Sequence, residues 1–201
     1  MEIFSRQEIL YSKRQKMSRG DTDMEIYTSR SDRERSEAEL NTYKKLNQLN
    51  IEYNRIDHDP AATIAECELI DHALGTKMCK NLFLCNTQKN RFYLLLMPGD
   101  KRFKTKEVSH ALGIARLSFA PDEYLPQLLG LHAGAVSVLG LMNDKEHNVS
   151  LLIDKDILAD EYLGCHPCVN TSSLKIKMKD ILEIFLPHTG HIPTVIELIG
   201  E

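Results

Sequence analysis

The densest run of reactive side chains in this chain is Gly164-Cys165-His166-Pro167-Cys168-Val169-Asn170-Thr171-Ser172-Ser173. It supplies an imidazole, two thiols, an amide and three hydroxyls. Pro167 fixes its own φ and biases His166 toward extended backbone, so the stretch reads as a shaped loop. Loops held by a rigid scaffold are where binding and chemistry concentrate. His166 could hydrogen-bond a substrate, act as a base, or brace the loop through a backbone carbonyl. Asn170 could recognise a ligand or satisfy the turn's own backbone. Cys165 and Cys168 form one C-x-x-C, but a zinc site needs further ligands, and Cys79 and Cys85 have the wrong spacing to supply them. A thioredoxin-like pair would open a helix, whereas here a hydroxyl-rich loop and a strand follow. The plainer reading is two small, partly buried thiols. Thr171, Ser172 and Ser173 lack the partner order of a serine nucleophile. No metal and no cofactor are expected.

Three other places could contribute. Lys80 opens an apolar strand, where its ammonium either snorkels out or faces a site and clamps phosphate as a point charge. Gly134-Ala135-Val136-Ser137 sets a small, flexible residue before an apolar run, so that backbone amides could face an anion or a developing oxyanion; an ordinary turn glycine is the alternative. Lys101, Arg102, Lys104 and Lys106 form a basic stretch that is either a solvated face or the domain's best RNA contact.

The elements that must hold these residues can be read from periodicity. Residues 1–35 are polar and charge-mixed and read as an extension. It is expected to pack poorly, with a short helix near residues 8–11 and basic Lys13, Arg14, Lys16 and Arg19 along a solvated tail. A single domain follows over residues 36–201. Leu40, Tyr43, Leu46 and Leu49 recur at helical spacing. Residues 51–56 alternate as a strand, and residues 57–60 read as a turn. Thr63-Ile64-Ala65-Glu66 is a capping box that opens a helix ending at Gly75. Residues 80–85 and 92–97 make a hairpin whose second strand is buried on both faces. Further strands are predicted at 117–119, 135–139, 149–153, 174–176 and 194–198, with residues 143–148 as a hairpin turn. Helices are predicted at 105–112, 121–129 and 177–186. Interleaved helices with several tightly turned strands imply a mixed α/β sheet.

Composition narrows the function. With 42% hydrophobic residues and a net charge of −4, the chain has a core but no global basic signature, so any nucleic acid must be met by a local patch. No run of about 18 apolar residues is present, so no membrane span is expected. Five cysteines and no secretory leader point to a cytoplasmic protein with reduced thiols.

Four segments, taken together, carry a family resemblance. They are Lys80-Asn81-Leu82-Phe83-Leu84, Leu94-Leu95-Leu96-Met97-Pro98-Gly99-Asp100-Lys101, Gly134-Ala135-Val136-Ser137-Val138-Leu139-Gly140-Leu141, and Gly164-Cys165-His166-Pro167-Cys168-Val169-Asn170-Thr171. In this order, over residues 36–198, the chain resembles the prolyl-tRNA-synthetase-associated (YbaK-type) editing domains, and most of all their free-standing, PrdX-like members that hydrolyse alanyl-tRNA(Pro). The resemblance implies a mixed α/β fold around a curved, barrel-like sheet surrounded by helices. It implies hydrolysis of the aminoacyl ester at the 3′ acceptor end of a mischarged tRNA, with prolyl-tRNA synthetase as a further partner. Lys80 would hold the terminal phosphate, with Asn81 beside it. Gly134, Ala135 and Ser137 would position the ester and the attacking water. His166 and Pro167, with Asn170, would line the pocket that measures the amino acid. Lys101, Arg102 and Lys104 would touch the tRNA. Many relatives carry proline before the loop glycine, where this chain has Ala133, and a Gly-x-x-x-Pro loop would place proline at Val138. A catalytically weak binding module of the same fold, or a deacylase for cysteine- or serine-charged tRNA, is the alternative.

Overall fold

The structure is a computed structural model that describes residues 14–18, 23–27, 34–61 and 63–200. The expected helix at residues 8–11 lies outside the described residues. Two five-stranded sheets hold the chain. The first has the order β1-β2-β3-β9-β8: β1 (Arg14–Ser18), β2 (Asp23–Tyr27), β3 (Tyr53–His58), β9 (Ser172–Lys177) and β8 (Tyr162–Cys165). The second has the order β10-β7-β5-β4-β6: β10 (Thr194–Ile196), β7 (Val149–Asp154), β5 (Phe92–Met97), β4 (Lys80–Asn86) and β6 (Leu117–Phe119). The sheet is mixed, as expected, because β5 pairs antiparallel with β4 and parallel with β7. The two sheets join at a bridge between Met78 and Gly164, where the Cys79 amide donates to the Gly164 carbonyl at 2.9 Å.

That seam depends on a close approach. A β-carbon on Gly164 would lie 2.3 Å from the Lys77 carbonyl oxygen, and one on Gly99 would lie 2.3 Å from that of Met78. The strip leading into Lys80 therefore passes between two positions that admit no side chain. The β4–β5 hairpin behaves as its pattern predicts. Leu94 and Leu96 of β5 join the central core with Phe83, Leu151, Leu163, Leu174 and Ile176, drawn from both sheets. Tyr93, Leu95 and Met97 face a second core against Val108 of α3 (Thr105–Ala111). The predicted capping box opens α2 (Ile64–Leu74): the Thr63 amide donates to Glu66 Oε2 at 2.9 Å, the Glu66 amide donates back to Thr63 Oγ1 at 3.3 Å, and Gly75 ends the helix.

Other expectations are corrected. Residues 135–139 form no strand; a loop leads into a 3₁₀ helix, Val138–Asn143, whose N-cap is Ser137. No hairpin follows, because the Asp144 carboxylate takes the amides of Asn148 and Val149 at 2.9 and 2.8 Å and turns the chain straight into β7. Asp57 and His58 continue β3 instead of forming a turn. Strand β8 was not anticipated. Part of the extension is ordered: β2 pairs with the end of β3 through Ile26↔His58 and Tyr27↔Asp57. α4 (Tyr124–Leu129) and a last helical run, α5 (Met178–Asp180), a π-helical turn Ile181–Phe185 and α6 (Leu186–Thr189), follow the expected pattern closely.

α1 (Glu37–Gln48) carries the least expected feature. Tyr43 and Leu46 are buried as predicted, but Leu40 is exposed and Glu39 is fully buried in its place. The Glu39 carboxylate accepts from Tyr43 Oη at 2.7 Å and from the Arg35 guanidinium. Arg35 also donates to Asp57 Oδ2 at 2.7 Å, and Ser172 Oγ donates to Asp57 Oδ1 at 2.6 Å while lying 3.0 Å from Glu39 Oε1. Arg35 and Arg55 both stand over the Tyr43 ring, at 5.7 and 5.2 Å. Burial raises the Asp57 carboxyl, but the bonds from Arg35 and Ser172 and the charge of Arg55 outweigh it and hold it at about 2. This stabilisation is complete above the ordinary value of 3.8 and is lost as the pH falls toward 2. Stability measured by urea unfolding should therefore drop across that window, and Asp57→Asn should flatten the drop. At neutral pH, Arg35→Met, which removes the guanidinium that bonds both buried carboxylates, should cost about 3–5 kcal/mol.

Candidate functional site

Each side of the site comes from a different element. Asn81, second in β4, turns its carboxamide across to the glycine loop. Its Oδ1 accepts the Val138 amide at 2.9 Å, and its Nδ2 lies 3.1 Å from Cys79 Sγ. Ser137 is fully buried; its Oγ donates to the His166 carbonyl at 2.6 Å and accepts the Leu139 amide at 3.2 Å. A β-carbon on Gly134 would lie 3.6 Å from Asn170 Nδ2, so the loop faces Asn170 directly. Asn81, the glycine loop and the His166 loop, well apart in sequence, thus meet in one place, with Lys80 the residue before Asn81 in β4.

The bond from Asn81 bears on the loop's composition. Where a Gly-x-x-x-Pro loop would place proline, this chain has Val138, and the Val138 amide is the donor in that bond. Proline has no N–H to give. The rigidity a proline would lend is supplied here by a hydrogen bond from the preceding motif.

The loop amides sort into two groups. The Ala135 amide is taken by the His132 carbonyl at 3.1 Å, and that of Val138 by Asn81. Among the described residues no acceptor holds the amides of Gly134, which is exposed, or Val136, which is half-buried, so these are the donors available to an anion. Gly134 sits at φ +83°, a conformation that costs other residues about 1–2 kcal/mol. Ser137 and Ala135, expected to help position the ester and the water, secure the loop: one through its buried hydroxyl, the other through its amide.

His166 is braced and still usable. Its Nδ1 donates to the Ser172 carbonyl at 3.0 Å, which fixes the ring and leaves Nε2 as an acceptor when the ring is neutral. Burial favours the neutral form and lowers the pKa below the ordinary 6.5, against a smaller opposing effect of the Ser172 bond. Ser172 is the residue bound to Asp57 and Glu39, so the buried charge network lies directly behind His166. A second buried imidazole, His58, stands 6.4 Å away between ring centroids; its Nδ1 donates to the Asp59 carbonyl at 2.8 Å, and its Nε2 meets Ser173 Oγ at 2.9 Å. Pro167 is buried, and Cys168 after it holds φ +63°, a left-handed conformation unusual for a residue with a side chain. The charge network and His58 were missed from sequence, since nothing local marks an acidic residue as inward-facing.

Lys80 Nζ donates to the Lys101 carbonyl at 2.7 Å. Lys101 is not an RNA-facing cation. Its own ammonium donates to Asp154 Oδ2 and Asp156 Oδ2, both at 2.7 Å, and to the Leu198 carbonyl at 2.6 Å, which uses all three of its protons. Arg102 and Lys104 are exposed and remain available to a polyanion.

The five cysteines are free thiols. Burial pushes the thiols of Cys79 and Cys168 up to about 12 and about 11, and that of Cys165 well above its ordinary value. Among the described residues no three His, Cys, Asp or Glu side chains are grouped to hold a metal ion, and no helix is long and apolar enough to cross a membrane.

Residues 58–184 match the model of the aminoacyl-tRNA editing domain. The prolyl-tRNA editing protein ProX of Acetoanaerobium sticklandii is 34% identical over 77% of this chain and 93% of its own length. The prolyl-tRNA synthetase associated domain-containing protein 1 of Danio rerio is 31% identical over 75% of this chain and 82% of its own. A crystal structure of a candidate trans-editing enzyme for prolyl tRNA synthetase shares the fold, with TM-score 0.60 and 16% identity over 82% of this chain and 99% of that one. The chain belongs to the aminoacyl-tRNA editing domain family.

Two outcomes test the site. Gly134→Ala should lower stability by about 1 kcal/mol, read by urea unfolding, and slow amino-acid release from a mischarged tRNA about tenfold, because the whole loop must shift to relieve φ. With a thiol reagent at pH 8, exposed Cys67 should react on the folded protein, whereas Cys165 and Cys168 should react only after unfolding.

Proposed function

We propose that this protein is a trans-editing deacylase that hydrolyses the aminoacyl ester of mischarged tRNA(Pro), with alanine as the amino acid removed. The observation that carries the reading is the meeting of Asn81, the Gly134 loop and the His166 loop, in a chain of the editing family. Lys80 suits the terminal phosphate, because its ammonium is held by a neutral carbonyl and keeps donors to spare. The amides of Gly134 and Val136 suit the oxygen that gains charge as water attacks the ester carbon. Neutral His166, fixed at Nδ1, suits a wall of the amino-acid pocket with Nε2 as acceptor; Pro167 and Asn170 complete that side. Arg102 and Lys104 are the surface cations best placed for the acceptor stem. The ester is already activated, and the ribose hydroxyl beside it can help place or deprotonate the water, so no protein nucleophile is required.

The substrate follows from size. A site built for proline cannot shut out the smaller alanine, and one methylene is worth only about 1–3 kcal/mol of discrimination. A second pocket that admits alanine and rejects the bulkier ring supplies the remainder. Prolyl-tRNA synthetase is a natural partner for delivery, and the cytoplasm, where it charges tRNA, the place of action.

Release of labelled amino acid from Ala-, Cys-, Ser- and Pro-tRNA(Pro) tests this. Alanine should leave fast and proline slowly. Lys80→Ala should reduce the rate at least about a hundredfold, as loss of a charged transition-state contact does, and His166→Ala should broaden the range of amino acids released. An inactive wild-type protein that still binds tRNA would leave the binding-module reading in place of this one.

A further inference from the structure

The Pro98–Lys101 turn and the end of β7 hold a charge arrangement that the proposed reaction does not by itself require. Around Lys80 stand several acids, and each is paired with another lysine. Asp100 binds the Lys77 ammonium at 2.5 Å, while Asp154, which is fully buried, and Asp156 bind Lys101. Among the described residues no carboxylate lies within ion-pair distance of Lys80. Its ammonium rests on the Lys101 backbone carbonyl, and Lys101 is tied down by three acceptors on two separate segments, including Leu198 near the C-terminus. The closing segment is fastened there too, since Glu107 Oε2 accepts the amides of Ile199 and Gly200 at 3.1 Å.

We propose that Lys101 is a positioning residue for Lys80: it occupies the carboxylates of Asp154 and Asp156 and offers its own carbonyl, so that the Lys80 ammonium is held in place yet left uncompensated for an anionic group of the substrate. The proposal rests on Lys80 as the phosphate-holding residue of the site. A carbonyl orients an ammonium without cancelling its charge, whereas a carboxylate would compete with phosphate for it. Without the Lys101 ammonium, the buried Asp154 loses its cation, and the Lys80 ammonium, which rests on the backbone of that same residue 101, is drawn toward it.

The test is a double-mutant cycle on deacylation of Ala-tRNA(Pro) by the full chain. Lys101→Met should lower kcat/KM about tenfold, chiefly through KM. In a Lys80→Ala background the same change should have no further effect. Lys101→Met/Asp154→Asn, which leaves no buried charge unpaired, covers the case in which the single variant does not fold; it should recover most of the KM, because the competing acid is gone. Wild-type kinetics in Lys101→Met, or a loss that multiplies with that of Lys80→Ala, would overturn the proposal, the second by making Lys101 an independent contact. The Lys80 ammonium resonance, followed by nitrogen-edited NMR and identified by its loss in Lys80→Ala, gives a reading free of activity. It should shift in Lys101→Met, and an unmoved resonance overturns the proposal even if the wild-type protein releases no amino acid and the deacylase reading itself has failed.

Discussion

A single hydroxyl spans the gap between the two loops that make the site. Ser137 Oγ donates to the His166 carbonyl and accepts the Leu139 amide, with no access to solvent. A buried hydrogen bond of this kind is worth about 0.5–1.5 kcal/mol net, but leaving either partner unmet costs about 1–3 kcal/mol. The larger figure matters here, because the loops have no strand pairing to keep them together. Asn81 adds the third side by taking the Val138 amide. The course of the glycine loop thus depends on the side chains of Ser137 and Asn81.

Behind this stitch lies a division of electrostatic labour. One buried set, Arg35, Glu39, Asp57 and Ser172, with Arg55 beside it, stands behind His166 and pairs its acids with its own arginines. Another, in which the Lys101 ammonium binds both Asp154 and Asp156, stands behind Lys80. Both place their charges one residue away from the working group, and both present that group with a backbone carbonyl: Ser172 to His166, Lys101 to Lys80. Carbonyls orient without neutralising. Burial holds the imidazole toward its neutral form, which leaves Nε2 an acceptor.

Much of the scaffold was legible in the sequence because its signals are local. The Thr63 capping box, the β4–β5 hairpin and the two-faced burial of β5 all follow from spacing within a few residues. The motif residues were legible too, but not always their roles. Residues 135–139 have strand composition, and a carboxamide from Asn81, far away in the chain, claims the one amide a ladder would need. Leu40 looked inward-facing by its period, and Glu39 took that place because Arg35, Tyr43 and Ser172 supply its bonds. Lys101 looked like a surface cation beside Arg102 and Lys104 until its three acceptors, on segments far along the chain, were known. Each miss is a long-range polar pairing, for which one sequence carries no periodic signature.

The seam at Met78 and Gly164 has a consequence for how the protein comes into being. Lys80 and Asn81 emerge from the ribosome early, the glycine loop later, and His166 and Ser172 later still, while the acceptor for Lys101 at Leu198 comes nearly last. A nascent chain that ends before residue 164 holds Asn81 and the glycine loop without the His166 loop that Ser137 binds. An enzyme acting on the charged tRNAs that feed its own synthesis therefore cannot close its own site before the His166 loop and Ser172 have been made.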